Sequence, residues 1–319
     1  KLKANGGTVE LTAVAARQVV DSVINNTGVI EANSIGSQNG MIILGAATAA
    51  SMPADTPTQT VKVSGKLSAA GKKNGEKGGK IQIAGENIAL RSAKINASGK
   101  AGGGTVLIGG DVGGGNPNPA VASIRQAKLQ PYAVPTASTV TIDAATTINA
   151  SAKDAGDGGK VVVWSDQSTL FDGRISVRGG TTFGNGGFVE TSGHTLNFAG
   201  ARVDTSAAKG LSGLWLLDPV NLTVDTAAAA TLAASLATTD ITLLTTASGA
   251  SGPGVQSAGD GDIFVNSPIS WNSVHSLTLS AYRDIWVNAN IANTGTGNVT
   301  GRADNTGTGV GTIKGFLGT

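Results

Sequence analysis

Short segments in which apolar and polar residues alternate recur along the whole chain. Each follows one or two glycines, as in Gly78-Gly79-Lys80-Ile81-Gln82-Ile83 and Gly103-Gly104-Thr105-Val106-Leu107-Ile108. Alternation with a period of two predicts a β-strand that buries one of its faces. Strands this short are not stable alone, so the pattern predicts that each one pairs with others of its kind.

A second kind of segment lies between consecutive segments of the first kind. It has the pattern apolar–x–apolar–small, where x is any residue. Ala93-Lys94-Ile95-Asn96-Ala97 and Gly173-Arg174-Ile175-Ser176-Val177 are examples. The glycine pairs recur about every 24–28 residues where the register is clean, which is the length of one solenoid turn built from two or three short strands. The repeat therefore predicts an all-β chain, a right-handed parallel β-helix with short extra-helical loops.

The same repeat sets expectations for the inside of the coil and for its corners. Val and Ile suit a buried, pleated surface, and glycine and asparagine are expected to supply positive φ where the chain turns. About thirteen coils at ~4.8 Å per coil would give a rod about 60 Å long.

The chain divides into three regions according to how regular the repeat is. Residues 1–110 are predicted to be regular coils, and 111–137 to be an excursion whose prolines exclude it from a central strand. Coils resume over 138–319, with an alanine-rich protrusion near 226–238 and a Gly/Ser-rich loop at 248–261. The composition of the alanine-rich protrusion suits either a short surface helix or a loop.

Composition agrees with a narrow core. The 319 residues include 47 glycines, only 4% aromatics and 14% charged residues, against roughly 25% charged residues in an average soluble domain. The absence of cysteine excludes disulfides and thiolate chemistry. Residues 1–7 already follow the repeat, without a signal peptide, and no polar cap closes the sequence. We therefore expect a fragment of a longer chain, with any export signal upstream.

The residues resemble a known family, the haemagglutinin-repeat exoproteins of two-partner secretion systems, which includes filamentous haemagglutinin. Five phrases carry the resemblance: Ser22-Val23-Ile24-Asn25-Asn26-Thr27-Gly28-Val29-Ile30-Glu31-Ala32, Gly158-Gly159-Lys160-Val161-Val162-Val163-Trp164-Ser165-Asp166, Thr169-Leu170-Phe171-Asp172-Gly173-Arg174-Ile175, Gly186-Gly187-Phe188-Val189-Glu190-Thr191-Ser192-Gly193 and Leu214-Trp215-Leu216-Leu217-Asp218-Pro219. The resemblance covers nearly all of the chain and is most specific over 156–225.

The resemblance implies a stalk segment of a secreted or cell-surface bacterial adhesin or filament that mediates attachment, aggregation or biofilm formation. It further implies passage through an outer-membrane partner transporter, recognised by an N-terminal domain that this sequence does not contain. A host-cell receptor or a glycan such as an exopolysaccharide is the expected partner, and rods could also associate with one another. Coils that add one after another by nearest-neighbour contacts suit folding on emergence from a pore.

Two other functions remain open at the level of sequence. Some parallel β-helices are polysaccharide lyases or hydrolases, and such a carbohydrate-active enzyme would need acidic or basic residues clustered at a one-coil spacing. No clear cluster of that kind is visible. Ser192, His194 and Asp204 could form a catalytic triad, but the residues around Ser192 do not match the Gly-x-Ser-x-Gly motif of a nucleophilic serine. We therefore expect that the chain is not an enzyme. The second alternative is the shaft of a contact-dependent toxin exoprotein.

Binding residues are expected on the protrusions, because loops carry recognition more often than scaffolds do. Arg125, Lys128 and Tyr132 in the 111–137 excursion are the candidates. The competing interpretation is that this segment covers a sheet face and blocks edge-to-edge pairing.

Five Asn-x-Ser/Thr sequons are candidate glycosylation sites, although a chain this rich in Asn, Ser and Thr produces such matches by chance. They begin at Asn25, Asn96, Asn149, Asn221 and Asn298.

Metal, cofactor and nucleic-acid binding are not expected. Asp166 and Asp172 suit turns better than a metal site, and the calcium-binding nonapeptide never repeats. The lysine cluster at 72–80 is interleaved with glycine and lacks nearby aromatic residues for stacking bases.

Overall fold

The protein is a stack of short parallel strands that coil around one apolar core. A computed structural model describes residues 1–13, 22–48, 59–117, 119–122, 127–246, 261–307 and 309–315. Every pairing between its named strands is parallel, with each strand beside the equivalent strand of the next coil. This arrangement confirms the prediction of an all-β parallel β-helix.

Sheet I is the longest sheet and contributes one strand to each coil. Its ten strands, in order along the rod, are β2 (Thr8–Ala13), β5 (Met41–Ala46), β8 (Lys80–Ala84), β11 (Thr105–Ile108), β14 (Lys160–Val163), β17 (Phe188–Gly193), β20 (Leu214–Pro219), β22 (Asp240–Leu244), β25 (Leu277–Ser280) and β28 (Val299–Arg302).

Sheets II and III complete the coils of the first part of the rod. Sheet II consists of β3 (Ser22–Asn26), β6 (Thr60–Val63), β9 (Asn87–Leu90), β12 (Thr139–Ile142), β15 (Ser168–Phe171) and β18 (Thr195–Asn197). Sheet III consists of β1 (Leu2–Lys3), β4 (Val29–Glu31), β7 (Lys66–Ser68), β10 (Lys94–Asn96), β13 (Thr147–Asn149), β16 (Arg174–Ser176) and β19 (Arg202–Asp204).

Two smaller sheets replace sheets II and III in the later coils. Sheet IV consists of β21 (Leu222–Val224), β23 (Ile263–Val265), β26 (Ile285–Val287) and β29 (Ile313–Gly315), and sheet V of β24 (Ile269–Trp271) and β27 (Ile291–Asn293). The helices of the described residues are α1 (Pro119–Ala122), α2 (Thr226–Ser235) and a 3₁₀ turn at Val112–Gly115.

The estimate of about thirteen coils was too high, because sheet I has ten strands in the part of the chain that the structure describes. Lys160, Phe188 and Leu214 are register partners in successive coils and follow the expected period. The sequence estimate assumed that the remaining residues also form coils of that length. Instead, Thr105 pairs with Lys160 across the whole 111–137 excursion.

Apart from the segment that forms α2, the longest connections between strands begin at the end of a sheet I strand. They run from Ala46 to Thr60, from Ile108 to Thr139 and from Leu244 to Ile263. The corner after each sheet II strand is short, as between Val63 and Lys66, and the corner from sheet III to sheet I is of moderate length, as between Ser68 and Lys80. The largest additions to the solenoid therefore enter at one corner. The Gly/Ser-rich loop expected at 248–261 belongs to one of these connections and lies, except for Gly261, outside the described residues.

The core is built from columns of side chains that repeat from coil to coil. The inward position of sheet I is occupied in register by large apolar residues that are at most 1% exposed: Ile42, Ile81, Val106, Val161, Val189, Trp215, Ile241 and Leu277. Phe198 packs edge-on against Trp215, with ring centroids 5.9 Å apart. Alternation along each strand thus becomes a continuous apolar column along the rod.

The glycine pairs lie at the corner from sheet III to sheet I. The positive φ expected of glycine at turns occurs mainly at other glycines, such as Gly75 and Gly156. The second glycine of a pair, such as Gly104 or Gly159, does not have positive φ. A Cβ at Gly104 would lie 2.1 Å from the carbonyl oxygen of Gly79, and one at Gly159 would lie 2.0 Å from that of Gly104. Glycine is required here because the backbones of successive coils pass too close for any side chain.

Helix α2 occupies the place of a sheet III strand in one coil. It packs against β19, β21 and β24, and Ala228, Ala229 and Leu232 join the core of the solenoid. The Asp225 side chain accepts from the backbone N–H of Ala228 at 2.9 Å and caps the helix. The alanine-rich segment is therefore a helix, and its small side chains fit the space between two flanking strands.

Candidate functional site

A second apolar cluster lies on the outer face of sheet I. Its sheet residues point away from the coil core but are at most 2% exposed: Leu107, Val162, Phe188, Leu216 and Leu244. Val112, Val121, Ala127 and Val134 from the excursion pack against them. We call residues 111–137 the cover, of which the structure describes 111–117, 119–122 and 127–137. This position agrees with the competing interpretation of the sequence, in which the segment covers a sheet face.

The cover leaves the rod through a turn that favours glycine. Gly113 and Gly114 have φ of 57° and 64°. A Cβ at Gly114 would also lie 2.7 Å from the Trp164 ring. Asp111 caps the turn by accepting from the backbone N–H of Val112 at 2.9 Å. The first turn of the cover is thereby held against the Trp164 indole.

A buried ion pair fastens the cover to the sheet. The Lys160 ammonium lies 2.9 Å from the Asp111 carboxylate, and their side chains are 8% and 3% exposed. Lys160 also donates to the carbonyl oxygen of Lys128 at 2.6 Å, and the Gln130 N–H donates to Asp111 at 2.6 Å. Removing either charge would leave the other buried and uncompensated, which is strongly unfavourable.

Glu190 lies fully buried beneath the turn. Its carboxylate accepts from the Gly113 N–H at 3.1 Å and from the Ser192 hydroxyl at 2.9 Å. Burial raises the pKa of Glu190 to about 7, and the negative charge of Asp111 adds to the effect. Burial likewise raises the pKa of Asp218 well above its usual range, and the neighbouring Glu190 reinforces that shift.

Lys80 connects the sheet to the far end of the cover. Its ammonium donates to Gln130 Oε1 at 3.1 Å and lies 4.0 Å from the centre of the Tyr132 ring. Burial lowers the pKa of Lys80 to about 8. The Tyr132 hydroxyl donates to Gln82 at 3.4 Å, while 44% of the residue stays exposed. Tyr132 thus presents a ring to solvent from a fixed position.

An open cleft of about 340 Å³ lies beside this end of the cover, at the low end of the size range of ligand sites. The side chains of Asn39, Lys77, Lys80 and Gln130 line it. Its floor is formed by backbone of the glycine corner, at Gly40, Gly78, Gly79, Gly103 and Gly104. Ammonium, amide and bare peptide groups offer donors to an oxygen-rich ligand.

The structure places two of the three expected binding residues. Lys128 and Tyr132 are both exposed on the cover, and Arg125 lies outside the described residues. Sequence reasoning missed Lys80, Lys160 and Glu190, which hold the cover. A signal was present, since Lys80 and Lys160 each follow a glycine pair, on a strand that is otherwise mostly apolar.

The sequons fall into two groups. Asn96 and Asn149 are register partners on sheet III, and each side chain accepts the backbone N–H of the sequon serine, at 3.0 and 2.9 Å. Those serines, Ser98 and Ser151, are buried. The sequons at Asn25, Asn221 and Asn298 start at exposed residues instead, and the Asn221 side chain accepts from the Asp262 N–H at 3.0 Å. Modification of any of the five stays a prediction.

The other candidate residues have local structural partners. Asp166 accepts from the Trp164 indole at 3.0 Å and from the Thr136 hydroxyl at 2.6 Å, and Asp172 accepts from the Gly200 N–H at 3.2 Å. Ser192 donates to Glu190, and Asp204 accepts from the Ser206 N–H. Within the described ranges, no group of three His, Cys, Asp or Glu side chains is arranged to hold a metal ion.

These features define a class of protein, a parallel β-solenoid shaft that carries a docked cover on its longest sheet. No protein-family model matches the chain, and no curated protein matches it. Among solved structures, it is similar to the HMW1 secretion domain from Haemophilus influenzae, with 29% identity over 68% of this chain and a TM-score of 0.47. The match spans 47% of that chain, about half of its length. None of the described helices is long and apolar enough to cross a membrane.

Proposed function

We propose that this chain is a stalk segment of a secreted bacterial surface adhesin and that the cover presents its contact residues. The observation that carries the proposal is the uninterrupted ten-stranded sheet I, with its largest additions at one corner. A stack of coils extends a structure along one axis, and each coil needs only its neighbours for stability. The ordered phrases that resemble haemagglutinin-repeat exoproteins support export through an outer-membrane transporter to the cell surface.

The contact surface consists of Tyr132, Lys128 and the adjoining cleft. The exposed Tyr132 ring suits stacking against a sugar ring, while Lys77 and Gln130 in the cleft supply donors to hydroxyl or carboxylate oxygens. A glycan or an exopolysaccharide is therefore the ligand class that this surface fits. A glycoprotein receptor on a host cell would present the same chemistry.

Beads coated with the purified chain test this proposal. We expect them to bind saccharides on an array and to attach to epithelial cells. The K128A/Y132A double variant should bind at least about tenfold more weakly, because the aromatic contact and the adjoining charge are both lost.

The matched control is K62A/F183A, which removes an exposed lysine and an exposed aromatic residue elsewhere on the rod. It should bind like the unmodified chain. Absence of saccharide and cell binding by the unmodified chain would contradict the proposal. Release of new reducing ends from a polysaccharide would favour a carbohydrate-active enzyme instead.

A further inference from the structure

Four cations form a straight column on the outer face of sheet III. Lys66, Lys94, Arg174 and Arg202 each occupy the first position of a sheet III strand, and all four residues are exposed. The strand pairing places them in one register line, with Thr147 between Lys94 and Arg174. We call these five residues the basic column.

The strands fix the direction and the spacing of the column. The next residue of each strand lies in the core and is at most 3% exposed, as for Leu67, Ile148 and Val203. Because side chains alternate between the two faces of a strand, the basic residues point outward. Four coil steps separate Lys66 from Arg202, so the column extends about 19 Å along the rod at the usual strand spacing.

The cations of the column have no ion-pair partner among the described residues. Lys94 and Arg202 donate to backbone carbonyl oxygens instead. Other cations of the rod are paired across coils, as Lys100 is with Asp154 at 3.2 Å. The column therefore presents charge that the chain itself leaves uncompensated.

The carboxylates on sheet III and in the turns that lead into it are engaged elsewhere. Glu31 on β4 forms an ion pair with the first lysine of the chain at 3.0 Å. Asp204 on β19 lies 3.8 Å from Arg178, which is outside the column. Asp143 and Asp172, in the turns before β13 and β16, accept backbone N–H groups of neighbouring coils at 2.9 and 3.2 Å.

The register of the column places like charges beside one another. Lys66 and Lys94 are direct register partners, and so are Arg174 and Arg202. Like charges in direct register destabilise a sheet. An anion bound between two such cations would remove this repulsion, so the column is best suited to a ligand that carries many negative charges in a row.

We propose that the basic column binds an acidic polysaccharide, a polyuronate whose sugar chain runs along the rod and whose carboxylates pair with the lysines and arginines. Both side chains form charge-assisted hydrogen bonds to carboxylates. A uronate residue is about as long as the rise of one coil, so an extended polyuronate presents its carboxylates in step with the strands. The column lies on a different sheet from Tyr132, and this inference thus goes beyond the contact surface proposed above.

Nucleic acid is the other linear polyanion, and sheet III suits it less well. The described strands of this sheet carry no aromatic side chain on which a base could stack. The phosphates of duplex DNA wind around the helix axis, so a straight column can follow only a short part of one strand. A polysaccharide that lies along the rod can contact every cation.

Fluorescence anisotropy of a labelled oligogalacturonate, titrated with the full chain, measures the binding. The fully methyl-esterified oligosaccharide has the same sugar chain without the charges, and we expect it to bind at least about tenfold more weakly. Added salt should weaken the binding of the acidic form, because exposed charges are screened. Equal binding of the two forms, or tighter binding of duplex DNA with the same number of charges, would overturn the proposal.

Two double variants test whether the column is the site. K94Q/R174Q removes the two cations beside Thr147 and should weaken oligogalacturonate binding about tenfold. K62Q/R302Q is the matched control, because it removes one exposed lysine and one exposed arginine from sheets II and I. It should bind within about twofold of the unmodified chain. Equal losses in the two variants would show that only the overall charge matters and would contradict a site on sheet III.

The gap in the column allows a test by gain of affinity. Thr147→Lys adds a cation between Lys94 and Arg174 and should tighten binding about threefold or more. Such a gain cannot result from misfolding, whereas unchanged or weaker binding by a folded T147K chain would count against the proposal. The K128A/Y132A comparison tests the other surface, so failure of one proposal does not entail failure of the other.

Discussion

At the scale of single residues, the glycine corner brings the backbones of successive coils into close contact. A Cβ at position 104 would lie 2.1 Å from the Gly79 oxygen and 2.8 Å from the Ala97 oxygen. Both are backbone atoms, Gly79 in the preceding coil and Ala97 just after β10, so neither can move without disturbing the stack. A methyl group at position 104 would therefore push two neighbouring coils apart.

Gly104→Ala should therefore lower the free energy of unfolding by about 3 kcal/mol or more. Urea unfolding followed by circular dichroism measures the change. Gly28→Ala is the matched control, because a Cβ at Gly28 meets no atom within 4 Å and its φ is not positive. Equal stability of the two variants would show that the corner is not tightly packed.

Sequence alone located these glycines but did not explain them. The pairs are visible as a repeat, whereas the contact of Gly104 with Gly79 exists only after two coils are stacked in register. The same limit applies to the hydrogen bond between Gly113 and Glu190 and to the ion pair between Lys160 and Asp111, because both join residues far apart in sequence. Lys128 and Tyr132 were accessible to sequence reasoning because both lie in one proline-bounded loop.

At the scale of elements, helix α2 is the departure from the strand pattern. Leu232 is fully buried among the apolar residues of the coil, beside Ala228 and Ala229. Composition left helix and loop open, because the outcome depends on the width of the space between β19 and β24. Small alanine side chains let a helix fit where the equivalent coils have a strand.

Leu232→Ala should destabilise the protein by about 2–5 kcal/mol, since it leaves a cavity between the helix and the coil. The matched control is Leu211→Ala, a leucine that is 77% exposed, for which we expect a change within about 0.5 kcal/mol. Thermal and urea unfolding both report the difference. A small effect at Leu232 would mean that α2 merely rests on the surface.

At the scale of the whole molecule, stability should be local. Within the described sheets, each strand pairs only with the equivalent strands of the coil before it and the coil after it. The cover adds contacts on the outer face of sheet I. The coils of β14 and β17 separate Gly104 from the coil that contains α2. The free energy of unfolding of such an arrangement is approximately a sum of terms for each coil and for each contact between neighbouring coils.

The G104A/L232A double variant should accordingly lose the sum of the two single losses, within about 0.5 kcal/mol. Hydrogen exchange should show the loss at β8 and β11 for the first substitution and at β21 and β24 for the second. Loss of protection at both places after either single substitution would indicate that the rod unfolds as one unit.

The parallel solenoid was predictable because the same short pattern recurs many times. A single short apolar segment could be a strand or part of a helix, whereas its regular recurrence indicates stacked strands. The number of coils was not, because an insertion and a coil turn have similar composition and differ only in what their residues pair with. Thr105 and Lys160 appear in sequence as members of the same repeat, and only their register shows that the intervening segment adds no coil.

The corner that accepts the largest additions has a consequence for how such a chain can change. Foreign segments can enter there without altering the register of any strand, so new surfaces can be acquired by insertion while the stack is conserved. A peptide epitope grafted between the exposed Asp166 and Gln167, after β14, would project from the same edge as the natural additions. The rod thus offers a scaffold on which several displayed peptides would share one orientation, spaced by the rise of the coils.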